Sequence, residues 1–232
     1  MTRGEMKLRA RYLLGTTRPH PCLVTLTLLA VGWIINYLAQ KIGGQPVVIN
    51  LDAARELNFS DMIRIDLANA EFLPTVILLA FQIVVLLLSF GYAAYILRVV
   101  RGEPSGFGNL LDGFGVAWRA IVLTLFVDAL VALASVFLLI PGIILAYSYA
   151  MTTFLLLDHP DWSPVRCMRE SRYMMRGHKW ELFVLHLSFI GWLLLSTIPG
   201  VSVFVKPYTS LTEAVFYENL RGAYPPRPTS EF

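Results

Sequence analysis

The stretch "LPTVILLAFQIVVLLLSFGYAAYIL", residues 73–97, runs for 25 residues without a charged side chain. A helix of that length exceeds the roughly 30 Å hydrocarbon core of a bilayer, because each residue adds about 1.5 Å. In lipid a helix satisfies its own backbone hydrogen bonds, which irregular chain does not. The stretch therefore predicts a transmembrane helix.

The composition of the whole chain favours the same class. Of 232 residues, 56% are hydrophobic and only 15% are charged, with a mean hydropathy of +0.61. This is more apolar material than a soluble core of this length accommodates, so the excess must face lipid. The two cysteines, Cys22 and Cys167, show no CxxC or Cys/His spacing. They predict free thiols, without a disulfide framework or a zinc site.

Further apolar runs predict an all-α, polytopic membrane protein that forms a single domain over residues 1–232. The sixth run is more polar than the others, and its charged residues are tolerable only at the protein interior or at the membrane interfaces. A five-span protein is therefore the alternative. The six predicted spans cover residues 23–39, 73–97, 117–140, 143–157, 182–198 and 200–220.

The positions of the cations predict the orientation of the chain. Lysine and arginine accumulate on the cytoplasmic side of membrane proteins. Six spans with a cytoplasmic N-terminus place more of the 19 lysines and arginines inside than five spans do. We therefore expect a protein of the bacterial cytoplasmic membrane with both termini in the cytoplasm. The outer loop, residues 42–72, is predicted to form one or two short surface helices, as a solvated cap or as a partner-binding surface.

The tripeptide "IPG" occurs twice, at residues 140–142 and 198–200. Proline and glycine between two apolar runs predict the tips of two helical hairpins at the outer face. Asp128 and His186 each lie 13 residues before the proline, and thus near mid-depth. Equivalent positions in related hairpins can face a shared axis, so contact between Asp128 and His186 is one hypothesis. The alternative is that a serine, threonine or backbone carbonyl satisfies each one separately.

Ionisable groups inside a membrane are costly unless they are paired or line a wet cavity, which makes them candidates for handling a substrate or a proton. Four residues meet this criterion: Asp128, His186, Lys206 and Glu213.

The segment between the fourth and fifth spans predicts an amphipathic helix over residues 164–176. Ser163 and Pro164 form a typical helix start, and Gly177 is a typical stop. At helical spacing, the residues of this segment fall on two opposite arcs, a first, mainly apolar arc and a second arc that carries the arginines. The first arc contains Cys167, Met168, Ser171, Met174 and Met175.

This helix is expected to lie at the cytoplasmic interface, with methionines in the acyl boundary and cations at anionic head groups. In two structural alternatives, the methionines pack on the ends of the spans and the arginines are simply solvated. The head-group candidates are Arg166, Arg169, Arg172, Arg176, His178 and Lys179.

Several functional classes find no support in the sequence. It contains no HExxH, GxSxG or metal-ligand cluster, so we assign no catalytic residue, metal or cofactor. The glycine-rich segment 102–115 lacks a Walker lysine and predicts a flexible inner loop followed by a short amphipathic entry to the third span. The cations follow membrane topology rather than forming a soluble basic patch, which argues against nucleic-acid binding.

Three segments carry a resemblance to a known family. They are "MKLRARYLLG" (6–15), "IPGIILAYSYAMTTFLLLDHPDWSPVRCMRESRYMMRGHKWELFVLHLSFIGWLLLS" (140–196) and "PYTSLTEAVFYENL" (207–220). The chain resembles the bacterial membrane-protein family catalogued as domain of unknown function 975, and "SRYMMRGHKWELF" (171–183) is the most specific stretch. The resemblance implies an integral membrane protein of bacteria. It carries over no activity, cofactor or catalytic residue.

Three functional hypotheses remain open. The first is a non-enzymatic membrane protein that binds or translocates an amphipathic substrate, either a lipid or a small hydrophobic peptide. The second is a membrane partner, regulatory or immunity-type subunit that binds another protein. The third is an intramembrane lipid-modifying enzyme, because folding brings together groups that are scattered in sequence. The expected partners are the lipid bilayer, with anionic lipids, and in the second case a protein.

Overall fold

Helices account for the regular secondary structure in the residues that the structure describes, which are 1–42, 72–137, 139–196 and 200–224. This computed structural model has no strand within those ranges, which confirms the predicted all-α class. The predicted outer loop, residues 42–72, lies outside the described residues except at its two ends.

The helices differ widely in length, and a short 3-10 helix, Phe107–Leu111, precedes the fourth of them. In chain order they are α1 (Arg3–Thr16), α2 (Pro21–Ile42), α3 (Phe72–Arg101), α4 (Asp112–Gly115), α5 (Ala117–Phe137), α6 (Leu139–Ser148), α7 (Thr152–Asp158), α8 (Pro164–Met174), α9 (Lys179–Leu187), α10 (Ile190–Leu195) and α11 (Ser202–Ala223).

Three helical segments among the described residues are long and apolar enough to cross a membrane. They are Val76–Arg101 in α3, Ala117–Ser135 in α5, and Pro141–Asp158, which combines α6 and α7. A fourth is possible if α1 and the start of α2, which are bent by 83°, count as one span. The predicted number of six is therefore not confirmed.

The predicted fifth span, residues 182–198, is interrupted. Helix α9 ends at Leu187 and α10 begins at Ile190. The hydroxyl of Ser188 donates a hydrogen bond to the carbonyl of Leu185 at 2.5 Å. Such a local side-chain bond competes with helical pairing and explains why an apolar run does not continue as one helix.

The structure divides into two compact units. The first contains residues 1–29 and 86–232, and the second contains residues 30–85. Within the second unit, Trp33 and Tyr37 stack with ring centroids 5.9 Å apart, and the Lys41 ammonium lies 5.8 Å from the Tyr37 ring. All candidate site residues belong to the first unit.

The first predicted hairpin is present, and α5 and α6 pack closely against each other. Its turn comes earlier than predicted, because α5 ends at Phe137 and α6 begins at Leu139. Pro141 therefore occupies the first turn of α6, where its missing N–H does no harm. A Cβ on Gly142 would collide with the side chain of Ser135, so this glycine permits the close packing. Ile198 and Pro199 of the second tripeptide lie outside the described residues.

The segment 102–115 was predicted as a flexible loop with a short amphipathic entry to the third span, and its helical second half is packed against α3. A Cβ on Gly91 would collide with the backbone of Leu110, and a Cβ on Gly113 would collide with the carbonyl of Leu87. The Asp112 carboxylate also pairs with Arg98 at 3.1 Å. The glycines that suggested mobility thus provide close backbone contact.

The core of the first unit lies around the C-terminal ends of α3, α7 and α11. Helix α1 packs along α11, since the N-terminal ammonium donates to Asn219 Oδ1 at 3.3 Å and Arg11 lies 5.7 Å from the Tyr208 ring. This arrangement brings charged residues from distant parts of the chain to one end of the unit. Its most buried large side chains include Tyr95, Ile96, Leu156, Leu211, Phe216 and Tyr217.

Candidate functional site

Helices α6, α9 and α11 bring together a histidine, a glutamate and a tyrosine. His186 Nε2 lies 3.0 Å from Glu213 Oε1, and His186 Nδ1 lies 3.3 Å from the Tyr147 hydroxyl. Both ring nitrogens are therefore engaged. The His186 and Glu213 side chains remain 35% and 36% exposed, so the pair is accessible to a ligand.

A cavity of about 450 Å³ adjoins this pair. Its size falls within the range of small-molecule sites, and its apolar walls with a few convergent polar groups suit an amphipathic ligand. We call it the His186 cavity. Its lining residues are Tyr147, Phe183, His186, Leu187, Phe189, Ile190, Thr209 and Glu213.

The predicted contact between Asp128 and His186 is wrong. Asp128 lines a different cavity of about 320 Å³ between α5 and the α6–α7 segment, together with hydroxyl residues such as Thr124 and Tyr149. The prediction assumed that the two hairpins marked by "IPG" are equivalent, but the interruption after α9 makes the second hairpin unlike the first. Among the described residues the partners of His186 are Glu213 and Tyr147 rather than a serine, threonine or backbone carbonyl, so the alternative is also wrong for His186.

Of the four ionisable candidates, the structure joins only His186 and Glu213. The Lys206 ammonium lies 5.7 Å from the centroid of the Tyr92 ring, in a cation–π arrangement. Lys206 is not among the residues that line the His186 cavity. The sequence missed Tyr147 as a partner, because a tyrosine in an apolar run is not distinctive before the fold is known.

Helix α8 closely matches its predicted boundaries and faces. The Ser163 side chain caps it by accepting from the Arg166 N–H at 3.3 Å, and Gly177 has a φ of 89° just beyond its end. All five residues of the predicted apolar arc are buried. Ser171 also donates to the carbonyl of Ser148 at 2.9 Å.

The methionine face of α8 does not reach the acyl boundary, contrary to the first expectation. Met168, Met174 and Met175 are buried in the protein, where α8 packs on α5 and α7. The structural alternative, packing on the ends of the spans, is therefore the observed arrangement. The methionines gain more contact from neighbouring helices than lipid would provide at an interface.

Three of the six head-group candidates meet in one cleft of about 410 Å³ between α8 and α9. Arg172, Arg176 and Lys179 line it, together with Gly177 and Trp180. We call this the cationic cleft.

The other three candidates lie elsewhere. The Arg166 guanidinium stacks on the Trp162 ring at 4.1 Å. His178 Nδ1 lies 3.0 Å from Glu181, and its Nε2 lies 3.4 Å from the Tyr224 hydroxyl. Arg169 is exposed on α8 but does not line the cleft.

A charged cluster that sequence reasoning did not find joins α3, α7 and α11. Asp158 Oδ2 accepts from Arg101 Nη2 and from the Tyr217 hydroxyl, each at 2.7 Å. Arg101 Nε also donates to Glu218 Oε1 at 2.7 Å, and Arg221 Nε lies 3.4 Å from Asp158. The Asp158 side chain is only 3% exposed. We call these five residues the ionic cluster.

One family model matches residues 75–224, which is more than half of the chain. The chain belongs to the family described as protein of unknown function (DUF975). The comparisons with curated proteins and with solved structures gave no match.

The part of this DUF975 chain that matches contains all three of these features. The His186 cavity, the cationic cleft and the ionic cluster all fall within residues 75–224. Helices α1 and α2 precede the match. The family assignment confirms the resemblance and adds no activity. Among the described residues, no group of three or more histidine, cysteine or acidic side chains is placed to hold a metal ion.

Cys167 offers a direct test of the α8 packing in this DUF975 protein. The residue is fully buried, and burial raises the pKa of its thiol to about 11. Because the thiolate is the reactive form, we expect N-ethylmaleimide to modify Cys167 at pH 7.5 about a hundredfold more slowly than an ordinary cysteine. Burial in the folded state favours the protonated thiol over the thiolate. The contribution of the buried Cys167 thiol to the free energy of unfolding is therefore full below about pH 9 and is lost as the pH rises towards 11.

Peptide mapping by mass spectrometry measures the labelling at Cys167 separately from that at Cys22. The same chain unfolded in dodecyl sulfate is the control and should label quickly at both positions. Fast labelling of Cys167 in the folded protein would show that α8 does not pack as described.

Proposed function

We propose that this protein is a non-enzymatic, multi-pass protein of the bacterial cytoplasmic membrane that binds or translocates an amphipathic molecule at the His186 cavity. The ligand class is a lipid or a small hydrophobic peptide. The observation that supports the proposal is a hydrogen-bonded His186–Glu213 pair beside a mainly apolar cavity of about 450 Å³. Apolar walls suit a chain or an aliphatic side chain, and the polar pair suits a head group.

The distribution of positive charge indicates which end of the first unit faces the cytoplasm in this proposal. Helix α1, the C-terminal end of α3 and the arginine-rich α8 carry much of the positive charge of the first unit. Under the positive-inside rule, these parts belong in the cytoplasm, together with both termini. The His186 cavity then lies between α9 and the polar helix α11, about two helical turns from the cytoplasmic end of α9.

The His186–Glu213 pair is not proposed as a catalytic site. A hydrolytic or transfer reaction needs a nucleophile or an activated water within reach of the base, and stabilising donors for the developing charge. The Tyr147 hydroxyl lies 3.3 Å from His186 Nδ1, but the described lining residues of the cavity include no lysine, arginine, asparagine or glutamine to stabilise a developing negative charge. Binding requires only the observed combination of apolar walls and a polar pair.

Reconstitution into liposomes tests the proposal. Phosphatidylglycerol with a nitrobenzoxadiazole-labelled chain is the lipid probe, and a dansylated hydrophobic peptide is the second. Transport is measured as protection of the labelled lipid from external dithionite, and binding as fluorescence of the dansyl group. The variants are His186→Ala and Ile190→Trp, where the second fills the cavity without touching the polar pair.

We expect each variant to lower binding or transport about tenfold or more, because the first removes a charge-assisted contact and the second removes space. His20→Ala is the matched control, since this exposed histidine lies before α2, away from the cavity. Wild-type protein that retains neither probe above the level of empty liposomes would contradict the proposal. A stoichiometric protein partner in that case would favour a regulatory or immunity-type subunit.

A further inference from the structure

The cationic cleft lies at the junction of α8 and α9, away from the His186–Glu213 pair. Arg172 and Arg176 come from α8 and the turn that follows it, and Lys179 is the first residue of α9. Gly177 has a φ of 89° and turns the chain between them. This left-handed turn brings cations from both sides of the junction to one opening of about 410 Å³.

The charge of this cleft is not neutralised by the described part of the chain. No carboxylate is among its lining residues, and the described residues give Arg172, Arg176 and Lys179 no ion pair. Elsewhere in the same unit the opposite holds, since Arg98 and Arg101 each pair with carboxylates at 3.1 Å or less. Three unpaired cations around one opening make a site for an anion, and arginine suits phosphate oxygens especially well.

One face of α9 connects the cleft with the His186 cavity. Trp180 lines the cleft and Phe183 lines the cavity, and their rings stack with centroids 5.1 Å apart. His186 and Leu187 continue the same face at helical spacing and also line the cavity. From Trp180 to Leu187 the helix rises about 10 Å. A ligand with an anionic end and an apolar chain has the dimensions to occupy both places.

Trp180 supports a membrane source for this ligand rather than a soluble one. Its side chain is 67% exposed and lies directly beside the three cations. A large, exposed indole is favoured at the level of the lipid head groups, where an amphipathic ring meets both water and acyl chains. A site for a soluble anion needs no such ring.

We propose that the cationic cleft binds the phosphate of an anionic phospholipid, with its acyl chain following Trp180 and Phe183 to the His186 cavity. The placement of the acyl chain rests on the proposed function, whereas the head-group site stands on the cleft alone. The ligand class is thereby narrowed from any amphipathic molecule to a lipid with a negatively charged phosphodiester. Arg172, Arg176 and Lys179 confer the selectivity for its charge.

Lipid titration of the purified full-length protein in a neutral detergent tests this proposal. Native mass spectrometry counts bound phosphatidylglycerol and, in a parallel arm, phosphatidylcholine. The cleft variant is Arg172→Gln/Arg176→Gln. The control, Arg3→Gln/Arg18→Gln, removes the same charge from exposed positions near α1. Circular dichroism and the melting temperature verify that all variants are folded.

We expect the cleft variant to bind phosphatidylglycerol about twentyfold to thirtyfold more weakly than wild type, since each surface arginine strengthens the binding of anionic lipid about fivefold and two are removed. Binding of phosphatidylcholine should not change. The control should keep wild-type affinity for both lipids. Raised salt should weaken only the phosphatidylglycerol complex, because the attraction is electrostatic.

Three results would overturn the inference. The first is a cleft variant that binds phosphatidylglycerol as wild type does, and the second is a control that loses as much affinity as the cleft variant. The third is the finding that inorganic phosphate binds the cleft as tightly as phosphatidylglycerol does and yet displaces no lipid. That finding would make the ligand of the cleft a soluble anion. Ile190→Trp separates the two proposals. If it leaves lipid binding intact while the cleft variant loses it, the cavity assignment fails and the cleft stands.

Discussion

Replacing Asp158 with alanine is expected to lower the free energy of unfolding by about 3 kcal/mol, because the change breaks a buried charge network. Asp158 accepts from Arg101 and Tyr217 at 2.7 Å each, and its side chain is 3% exposed. Without it, the Arg101 guanidinium keeps Glu218 as its one carboxylate partner among the described residues, and the Tyr217 hydroxyl loses the acceptor that the structure shows. For a chain of this size the melting temperature in detergent should fall by about 6–12 °C.

Asp161→Ala is the matched control for this prediction. It removes the same charge from an exposed position just beyond α7. Its effect should stay within about 0.5 kcal/mol of zero, as for most surface substitutions. Asp158→Asn keeps the shape and should fall between the two. A melting temperature of Asp158→Ala within about 2 °C of wild type would show that the ionic cluster does not hold α3, α7 and α11 together.

Gly91→Ala is expected to destabilise the protein by about 3 kcal/mol, although alanine is the better helix former. The added Cβ would collide with the backbone of Leu110. A backbone obstacle cannot move aside by changing a rotamer, so α3 and the 3-10 helix Phe107–Leu111 must separate. Thermal unfolding in detergent measures the loss, and limited proteolysis of the segment after α3 should become faster.

Gly115→Ala serves as the control for Gly91→Ala. A Cβ at Gly115 meets open space, so this variant should be neutral or slightly stabilising. If both alanine variants melt like the wild type, segment 102–115 is not packed against α3 as described. If both are equally destabilised, the effect comes from replacing glycine in general rather than from the contact with Leu110.

The features that were predicted correctly depend on neighbouring residues. Helix α8 is one example, since Ser163, Pro164 and Gly177 set its ends and helical spacing set its buried face. Capping and periodicity act within a few residues, and these rules therefore apply before any tertiary contact forms. The burial of that face was predictable, but whether lipid or protein covers it was not.

The features that were missed depend on pairs far apart in the chain. His186 is 27 residues from Glu213 and 39 from Tyr147, and Arg101 is 117 residues from Glu218. Whether such groups meet depends on how each helix is rotated about its axis and how far it slides along its neighbour. The two copies of "IPG" suggested a symmetry for Asp128 and His186, but the interruption at Ser188 altered the second hairpin.

The amino-acid sequence by itself determined that this protein is helical, that several of its helices are apolar enough for a membrane, and that an amphipathic helix follows Ser163. Those properties arise from segment length, hydrophobicity and local hydrogen bonds, all of which are present in short stretches of chain. The tertiary structure alone decided the partner of His186, the joining of Arg172, Arg176 and Lys179 around one cleft, and the ionic cluster at Asp158. Side-chain pairing across helices requires close approach to about 3 Å, and only the packed register of the helices provides it.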